Sequence, residues 1–168
     1  METGKGKITM TAAALKFPIP KSLIIAIDSR EQLPYRWDNV TTIVKKLDAG
    51  DYSVVGLENR VGIERKSLAD AYGTFGSGRK RFERELERLA TYEYAAVMIE
   101  ATMEHALTCK PEHANVQQFT GKHFNRAWIA WSQRHRVHFV FAGSRALAQK
   151  QTYIMLERFW RDVKDGKR

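Results

Sequence analysis

Two short, strongly apolar runs constrain the fold of this chain more than any other feature of its sequence. They read "SLIIAID" at Ser22–Asp28 and "YAAVMIEA" at Tyr94–Ala101. Short, continuously apolar runs are typical of strands that are covered on both faces of a sheet. Strands of this kind need helices on each side, so the chain is predicted to fold around a central sheet.

The residues around these two runs predict the remaining elements. Apolar residues at helical spacing over 37–47 predict a helix, while 52–55 and 61–66 predict the two strands of a hairpin. The other predictions are a glycine-rich loop over 73–78, helices over 79–89, 116–131 and 144–162, and a strand over 136–142. The predicted fold class is therefore α/β, a three-layer sandwich in which a mixed central β-sheet has helices on both faces.

Length and composition predict one folded domain. With 168 residues, 43% of them hydrophobic, the chain is long enough for one core and short for two. Residues 1–21 predict a flexible basic arm, and residues 22–168 the folded domain. No apolar run approaches the roughly 20 residues of a membrane span. Because Cys109 is the single cysteine, we expect no intramolecular disulfide and a cytoplasmic, intracellular location.

The distribution of charge points to a polyanionic partner. The net charge is +9, and no Asp or Glu occurs from His113 through Leu156. A solvated helix face normally mixes both signs, so an acid-free basic segment of this length favours contact with phosphates. The candidate nucleic-acid-binding residues in it are Lys122, Arg126, Arg134 and Arg136.

The predicted hairpin brings chemically active side chains together. Side chains alternate along a strand, so Glu64 and Lys66 share one face while Arg65 points to the other. A two-residue turn at 57–58 would place Asp51 directly opposite Glu64, with Cβ atoms about 5 Å apart. Two carboxylates this close repel unless a cation lies between them, so they predict a divalent-metal site; the alternative is an exposed surface cluster of charges.

Four segments, in the same order, resemble the nuclease domain of the XPF family of structure-specific DNA endonucleases. They are "AIDSRE" from Ala26, "GDY" from Gly50, "IERKSLAD" from Ile63 and "GRKRFERELERL" from Gly78. The family signature, GD, a variable gap, ERK, three residues and D, is matched at Gly50, Asp51, Glu64, Arg65, Lys66 and Asp70. The resemblance is strong over 23–89, and it implies a restriction-endonuclease-like version of the predicted sandwich, of the PD-(D/E)xK type.

The resemblance implies a metal-dependent site. Asp51 and Glu64 would be metal ligands, and Asp28, at the end of the first apolar run, would lie in the same cation site. Lys66 would be the catalytic lysine. The implied cofactor is Mg²⁺ or Mn²⁺, and the implied reaction is hydrolysis of phosphodiester bonds in branched, flap, nicked or distorted DNA during repair or recombination.

Supporting roles follow for other residues of the signature. Glu31 belongs to the first motif, and Arg65, the central arginine, would be held by an ion pair across the sheet. Asp70 would either orient a basic side chain or cap the turn after the strand. The run Arg79, Lys80 and Arg81 would receive a phosphate at the start of a helix or form a solvated helix face.

Partners and alternatives follow from the same resemblance. Many members of the family carry a helix-hairpin-helix module that the chain is expected to lack. Two sources for its grip on DNA stay open: phosphate contacts of the acid-free segment and the basic tail, and a DNA-loading partner of unknown identity. Nuclease domains of the family commonly pair, which implies a homodimer. Two alternatives stay open: an inactive DNA-binding member of the same fold, and a restriction-type duplex endonuclease. A zinc site at His105, Cys109 and His113 is disfavoured because Pro111 interrupts their helical spacing.

Overall fold

The computed structural model describes residues 19–108 and 119–168. The strands are β1 (Ile24–Asp28), β2 (Thr41–Lys45), β3 (Tyr52–Val54), β4 (Val61–Lys66), β5 (Tyr94–Ile99) and β6 (His138–Phe141). The helices are α1 (Leu68–Phe75), α2 (Arg79–Leu89), α3 (Met103–Thr108), α4 (Gly121–His135) and α5 (Arg145–Lys164). Among these residues, no helix has the length and apolarity needed to cross a membrane. The predicted arm lies mostly outside the described residues.

The strands form one mixed sheet in the order β2-β1-β3-β4-β5-β6. β3 is antiparallel to both β1 and β4, whereas the other neighbouring strands are parallel. The two apolar runs form β1 and β5, which are almost wholly buried. A mixed sheet of this kind, with helices covering its buried strands, confirms the predicted fold class.

Each face of the sheet has its own hydrophobic core. On one face, side chains such as Ile25 and Ile63 pack with Tyr153 and Leu156 of α5. On the other face, β5 residues pack with α1, α2 and α4, whose buried side chains include Tyr72, Phe82, Leu86, Phe124 and Trp131. Large aromatic side chains of α4 and α5, including Trp131 and Phe159, are therefore core residues.

The predicted helix over 37–47 is wrong. Residues Thr41–Lys45 form the edge strand β2, parallel to β1, and all five side chains are exposed. Trp37, Val40 and Leu47 are buried, but they lie outside the strand. Their spacing imitates a helical stripe, whereas the β-branched run "TTIV" favours a strand once β1 offers a partner.

Three smaller predictions also need correction. Gly73 lies inside α1 rather than in a mobile loop, and only residues 76–78 connect α1 to α2. The hairpin turn is longer than two residues, since residues 55–60 join β3 to β4. Arg136 lies outside β6, where it ends α4 in a left-handed conformation with φ of 56°. Helix α3 was not predicted from the sequence.

Candidate active site

The predicted hairpin residues meet in a cavity of about 510 Å³. Asp28 ends β1, Asp51 precedes β3, and Glu64 and Lys66 lie at the end of β4, so adjoining strand ends supply the cavity's polar floor. The remaining described lining residues are Arg30, Gln32, Gly50, Thr74, Arg81, Phe82, Glu85 and Arg88. Polar groups at strand ends, rather than an exposed hairpin face, form this site.

The register of β3 and β4 agrees with the prediction although the turn does not. Tyr52 pairs with Ile63, which places Asp51 beside Glu64. The Asp51 N–H donates to the Ile63 carbonyl over 2.9 Å, and the Arg65 N–H donates to the Asp51 carboxylate over 2.7 Å. The backbone of β4 therefore holds the Asp51 carboxylate beside Glu64.

A glycine shapes the entry to this pairing. Gly50 has φ of 76°, and a Cβ at this position would lie 3.3 Å from the Ile63 backbone nitrogen and oxygen. Its N–H donates to Glu85 over 2.9 Å. Glycine at this point lets the chain turn tightly against β4, which sets the position of Asp51.

Side-chain alternation along β4 produces the predicted division of charges. The Lys66 ammonium lies 2.5 Å from Glu64 Oε1, and both side chains line the cavity. The ammonium also lies 5.1 Å from the centre of the Phe82 ring. Arg65 points away from the cavity and pairs elsewhere. Lys66 is thus held at the cavity floor by one carboxylate and one aromatic face.

The pKa shifts of Asp51 and Glu64 indicate that this pair of carboxylates favours nearby positive charge. Burial raises the pKa of Asp51 well above the ordinary aspartate value, and the charge of Glu64 raises it further. Burial also raises the pKa of Glu64, although Lys66 opposes this shift. Burial alone would lower the pKa of Lys66, but Glu64 and Asp51 raise it above the ordinary lysine value. Two neighbouring carboxylates, one half-buried and one buried, that share one ammonium favour an additional cation.

Asp28 lines the same cavity, but its carboxylate is held by other groups. Each of its oxygens accepts two hydrogen bonds: three donors belong to Arg30, over 2.7 to 2.9 Å, and the fourth is the Leu47 N–H at 2.7 Å. Burial would raise the pKa of Asp28, yet these bonds outweigh it and the pKa is lowered. Asp28 therefore lies at the predicted site as an ionised partner of Arg30.

Arg65 belongs to an ion cluster that the sequence predicted only in part. Its guanidinium donates to both oxygens of Glu100, over 2.8 and 3.2 Å, and lies 3.5 Å from Glu31. Glu100 also pairs with Arg145 over 3.0 Å. The predicted ion pair of Arg65 across the sheet is confirmed, but the main partner, Glu100, follows β5 and carries no local signal in the sequence.

The structure favours the capping role for Asp70. Its N–H donates to the Ser67 hydroxyl over 3.1 Å, and that hydroxyl donates to the Asp70 carboxylate over 2.6 Å. Ser67 is the N-cap of α1, and the Asp70 side chain is exposed. The final aspartate of the signature thus stabilises the start of the helix that follows β4.

Sequence reasoning missed Glu85 and Arg88 on α2. Glu85 accepts the Gly50 N–H, pairs with Arg88, and both line the cavity. A signal was present, because Phe82, Leu86 and Leu89 predict which face of α2 is buried. Charged residues that flank such a stripe lie beside whatever the helix covers.

The predicted nucleic-acid-binding residues divide between two regions. Arg81 lines the active-site cavity. Arg79 and Arg126 line a second cavity, on the other side of the α1–α2 connection. Arg134 lies 3.7 Å from Glu83 on α2, while Lys80, Lys122 and Arg136 are exposed. The basic surface therefore spans α2 and α4 rather than the active site alone.

The residues that the structure describes contain no preformed cluster of three or more metal ligands. Within residues 19–108 and 119–168, no group of three or more His, Cys, Asp or Glu side chains could hold a metal ion. His105 is exposed on α3, and the other two residues of the disfavoured zinc site lie outside the described residues. Mg²⁺, however, is commonly bound by one or two carboxylates together with water and substrate phosphate, and Asp51 with Glu64 fits that donor set.

Comparison with known proteins gives one family and one set of similar structures. The family model of the ERCC4 domain matches residues 27–155, more than half of the chain. XPF from Aeropyrum pernix is similar in structure, with a TM-score of 0.62 and 17% identity over 86% of this chain and 68% of that chain. XPF from Aeropyrum pernix in complex with DNA has a TM-score of 0.59 and 20% identity over 86% and 66% of the two chains. No curated protein sequence matches the chain.

Proposed function

The chain belongs to the ERCC4-domain family as an XPF-type DNA endonuclease domain, and from this premise we propose that it cleaves DNA with a divalent metal ion. The observation that carries the proposal is the pairing of half-buried Asp51 with buried Glu64 beside Lys66 in one cavity. Buried carboxylates with raised pKa values, next to an ammonium, are typical of catalytic rather than structural sites.

Asp51 and Glu64 are the proposed ligands of Mg²⁺ or Mn²⁺. A bound ion would supply Lewis-acid activation of water and of the scissile phosphate. Asp28 is a further proposed ligand, and a cation at its carboxylate would have to displace the Arg30 guanidinium that is paired with it here. The oxygen-rich donor set matches hard cations of this kind.

Lys66 and the arginines of the cavity act on the phosphate. The Lys66 ammonium, held by Glu64 and Phe82, can stabilise negative charge that develops on a phosphate oxygen during hydrolysis. Arg81 and Arg88 line the same cavity and can pair with neighbouring phosphates in a bidentate way. Arg65 forms ion pairs with Glu100 and Glu31, and these pairs keep the end of β4 in position.

The proposed substrates are branched, flap, nicked or distorted DNA, with roles in repair or recombination. A structurally similar protein, XPF from Aeropyrum pernix, forms a complex with DNA. The basic surface of α2 and α4, with Lys80, Lys122, Arg134 and Arg136, would contact the duplex beside the cavity. We further propose a homodimer, supported by the exposed Ile129 on α4, and an intracellular site of action.

Substitution of the two carboxylates tests the catalytic proposal. Asp51→Ala and Glu64→Ala should each lower cleavage with Mg²⁺ or Mn²⁺ at least about 100-fold, because each removes a proposed ligand of the cation that stabilises negative charge in the transition state. Labelled flap, fork, junction, nicked and linear duplex DNA provide the substrates. Glu87→Ala is the matched control, since Glu87 lies on the exposed side of α2 and away from the cavity.

The results separate the candidate functions. Unchanged cleavage by either variant, with a native circular dichroism spectrum, would contradict the assigned site. Binding without cleavage of any substrate would favour the inactive DNA-binding member. Cleavage of linear duplex at one defined sequence would favour a restriction-type enzyme.

A further inference from the structure

A second cavity, of about 490 Å³, lies between α4 and the α1–α2 connection. Phe75 and Phe119 provide apolar walls, and Arg79, His123 and Arg126 provide polar ones. The described residues that line it include no acidic side chain. Its volume lies within the range of about 300–1,000 Å³ that is usual for small-ligand sites.

Two ring systems hold these side chains in place. The rings of Phe119 and His123 stack with centroids 5.8 Å apart and an interplanar angle of 26°. The Thr120 N–H donates to His123 Nδ1 over 3.2 Å, so the neutral imidazole carries its proton on Nε2, which can act as a donor. The Arg79 guanidinium lies 4.7 Å from the centre of the Trp131 ring. Aromatic faces and positive charges are thus combined in one cavity.

The second cavity adjoins the active-site cavity. Thr74 lines the active-site cavity, whereas its neighbour Phe75 lines the second one. On α2, Arg79 faces the second cavity and Arg81 the active-site cavity. The two cavities are thus lined by neighbouring residues of α1 and α2, and a DNA strand that crosses this segment can place a phosphate in one cavity and a base in the other.

We propose that this cavity binds the unpaired nucleobase of a nucleotide next to the scissile phosphate. The inference rests on the proposed DNA endonuclease function and gives it a source of structure selectivity. Aromatic faces stack on any base, and arginines pair with the adjoining phosphates. A base in intact duplex must first leave its stack, whereas an unpaired base meets a smaller cost, so DNA with an unpaired nucleotide is preferred.

Binding to DNA with and without the base tests the proposal. One duplex carries a single bulged nucleotide, and the second carries an abasic residue at the same place. Without divalent metal, the full chain should bind the first duplex about 5- to 100-fold more tightly, as expected for one stacked base. A 2-aminopurine at the bulge should also change its fluorescence on binding.

Variants locate the effect in this cavity. Phe119→Leu keeps the apolar volume and removes the aromatic face, so it should abolish most of the preference for the base. Arg126→Ala, at an exposed position, should weaken binding of both duplexes to a similar extent, because the phosphate that Arg126 would contact is present in each. Arg84→Ala is the control, because this exposed arginine on α2 lines neither cavity.

Equal affinity of the wild type for the two duplexes would overturn the proposal. Full retention of the preference by Phe119→Leu would overturn it as well. A base preference without any metal-dependent cleavage would support this inference and contradict the proposed function. Metal-dependent cleavage without a base preference would support the proposed function and contradict this inference.

Discussion

The ion cluster around Arg65 yields the most demanding prediction, the effect of Glu100→Ala. The side chains of Arg65 and Glu100 are each 8% exposed, and two hydrogen bonds join them. Removing one partner of a buried ion pair costs about 3–5 kcal/mol, because the remaining charge loses its compensation. Glu31 stays 3.5 Å from Arg65, and the Tyr35 ring centre lies 5.8 Å away, so the low end, about 3 kcal/mol, is expected.

Thermal unfolding followed by circular dichroism measures this loss. For a chain of this length, about 3 kcal/mol corresponds to a fall in Tm of about 6–12 °C. Glu93→Ala is the control: the side chains of Arg60 and Glu93 are 29% and 42% exposed, so solvent screens this pair and its removal should change Tm much less. An equal fall in both variants would refute the view that Glu100 compensates a buried charge.

Two further predictions concern Gly50 and Asp51. Gly50→Ala should destabilise the fold by about 1–3 kcal/mol in urea unfolding and lower cleavage, because of its φ of 76° and its contact with the Ile63 backbone. Gly56→Ala, with φ of 85° and open space around it, should cost less; equal losses would exclude the contact. Folding raises the pKa of Asp51, so the stability that depends on this group is present at low pH and is lost as pH rises through the raised pKa. Without metal, Asp51→Asn should reduce the decline that begins above about pH 4, the ordinary pKa of an aspartate, and an unchanged decline would refute the assigned shift.

The pairing of Asp51 with Glu64 could be predicted because it depends on local rules. Strand alternation places Glu64 and Lys66 on one face of the sheet. Antiparallel pairing in the hairpin then places Asp51 opposite Glu64. The predicted register of β3 and β4 is correct although the turn between them is longer than two residues. Burial of Ile63 and Tyr52 on the core face holds this register, whatever the loop conformation.

The partners of the site could not be predicted in the same way. Glu85 reaches Gly50 from α2, and Glu100 reaches Arg65 from the end of β5. Both contacts join residues 35 positions apart in the chain. Spacing in the sequence carries no information on such pairs, because the packing of α2 and β5 against β4 decides them.

The sequence by itself determined the order of most elements, the mixed sheet, and the grouping of Asp51, Glu64 and Lys66. These follow from hydrophobic period, turn chemistry and strand alternation, which act over a few residues. Only the tertiary structure decided that 41–45 form a strand, since its hydrogen-bond partner is β1 rather than its own neighbours. The tertiary structure also brought the Leu47 N–H to the Asp28 carboxylate and formed the second cavity, because both depend on how distant segments pack.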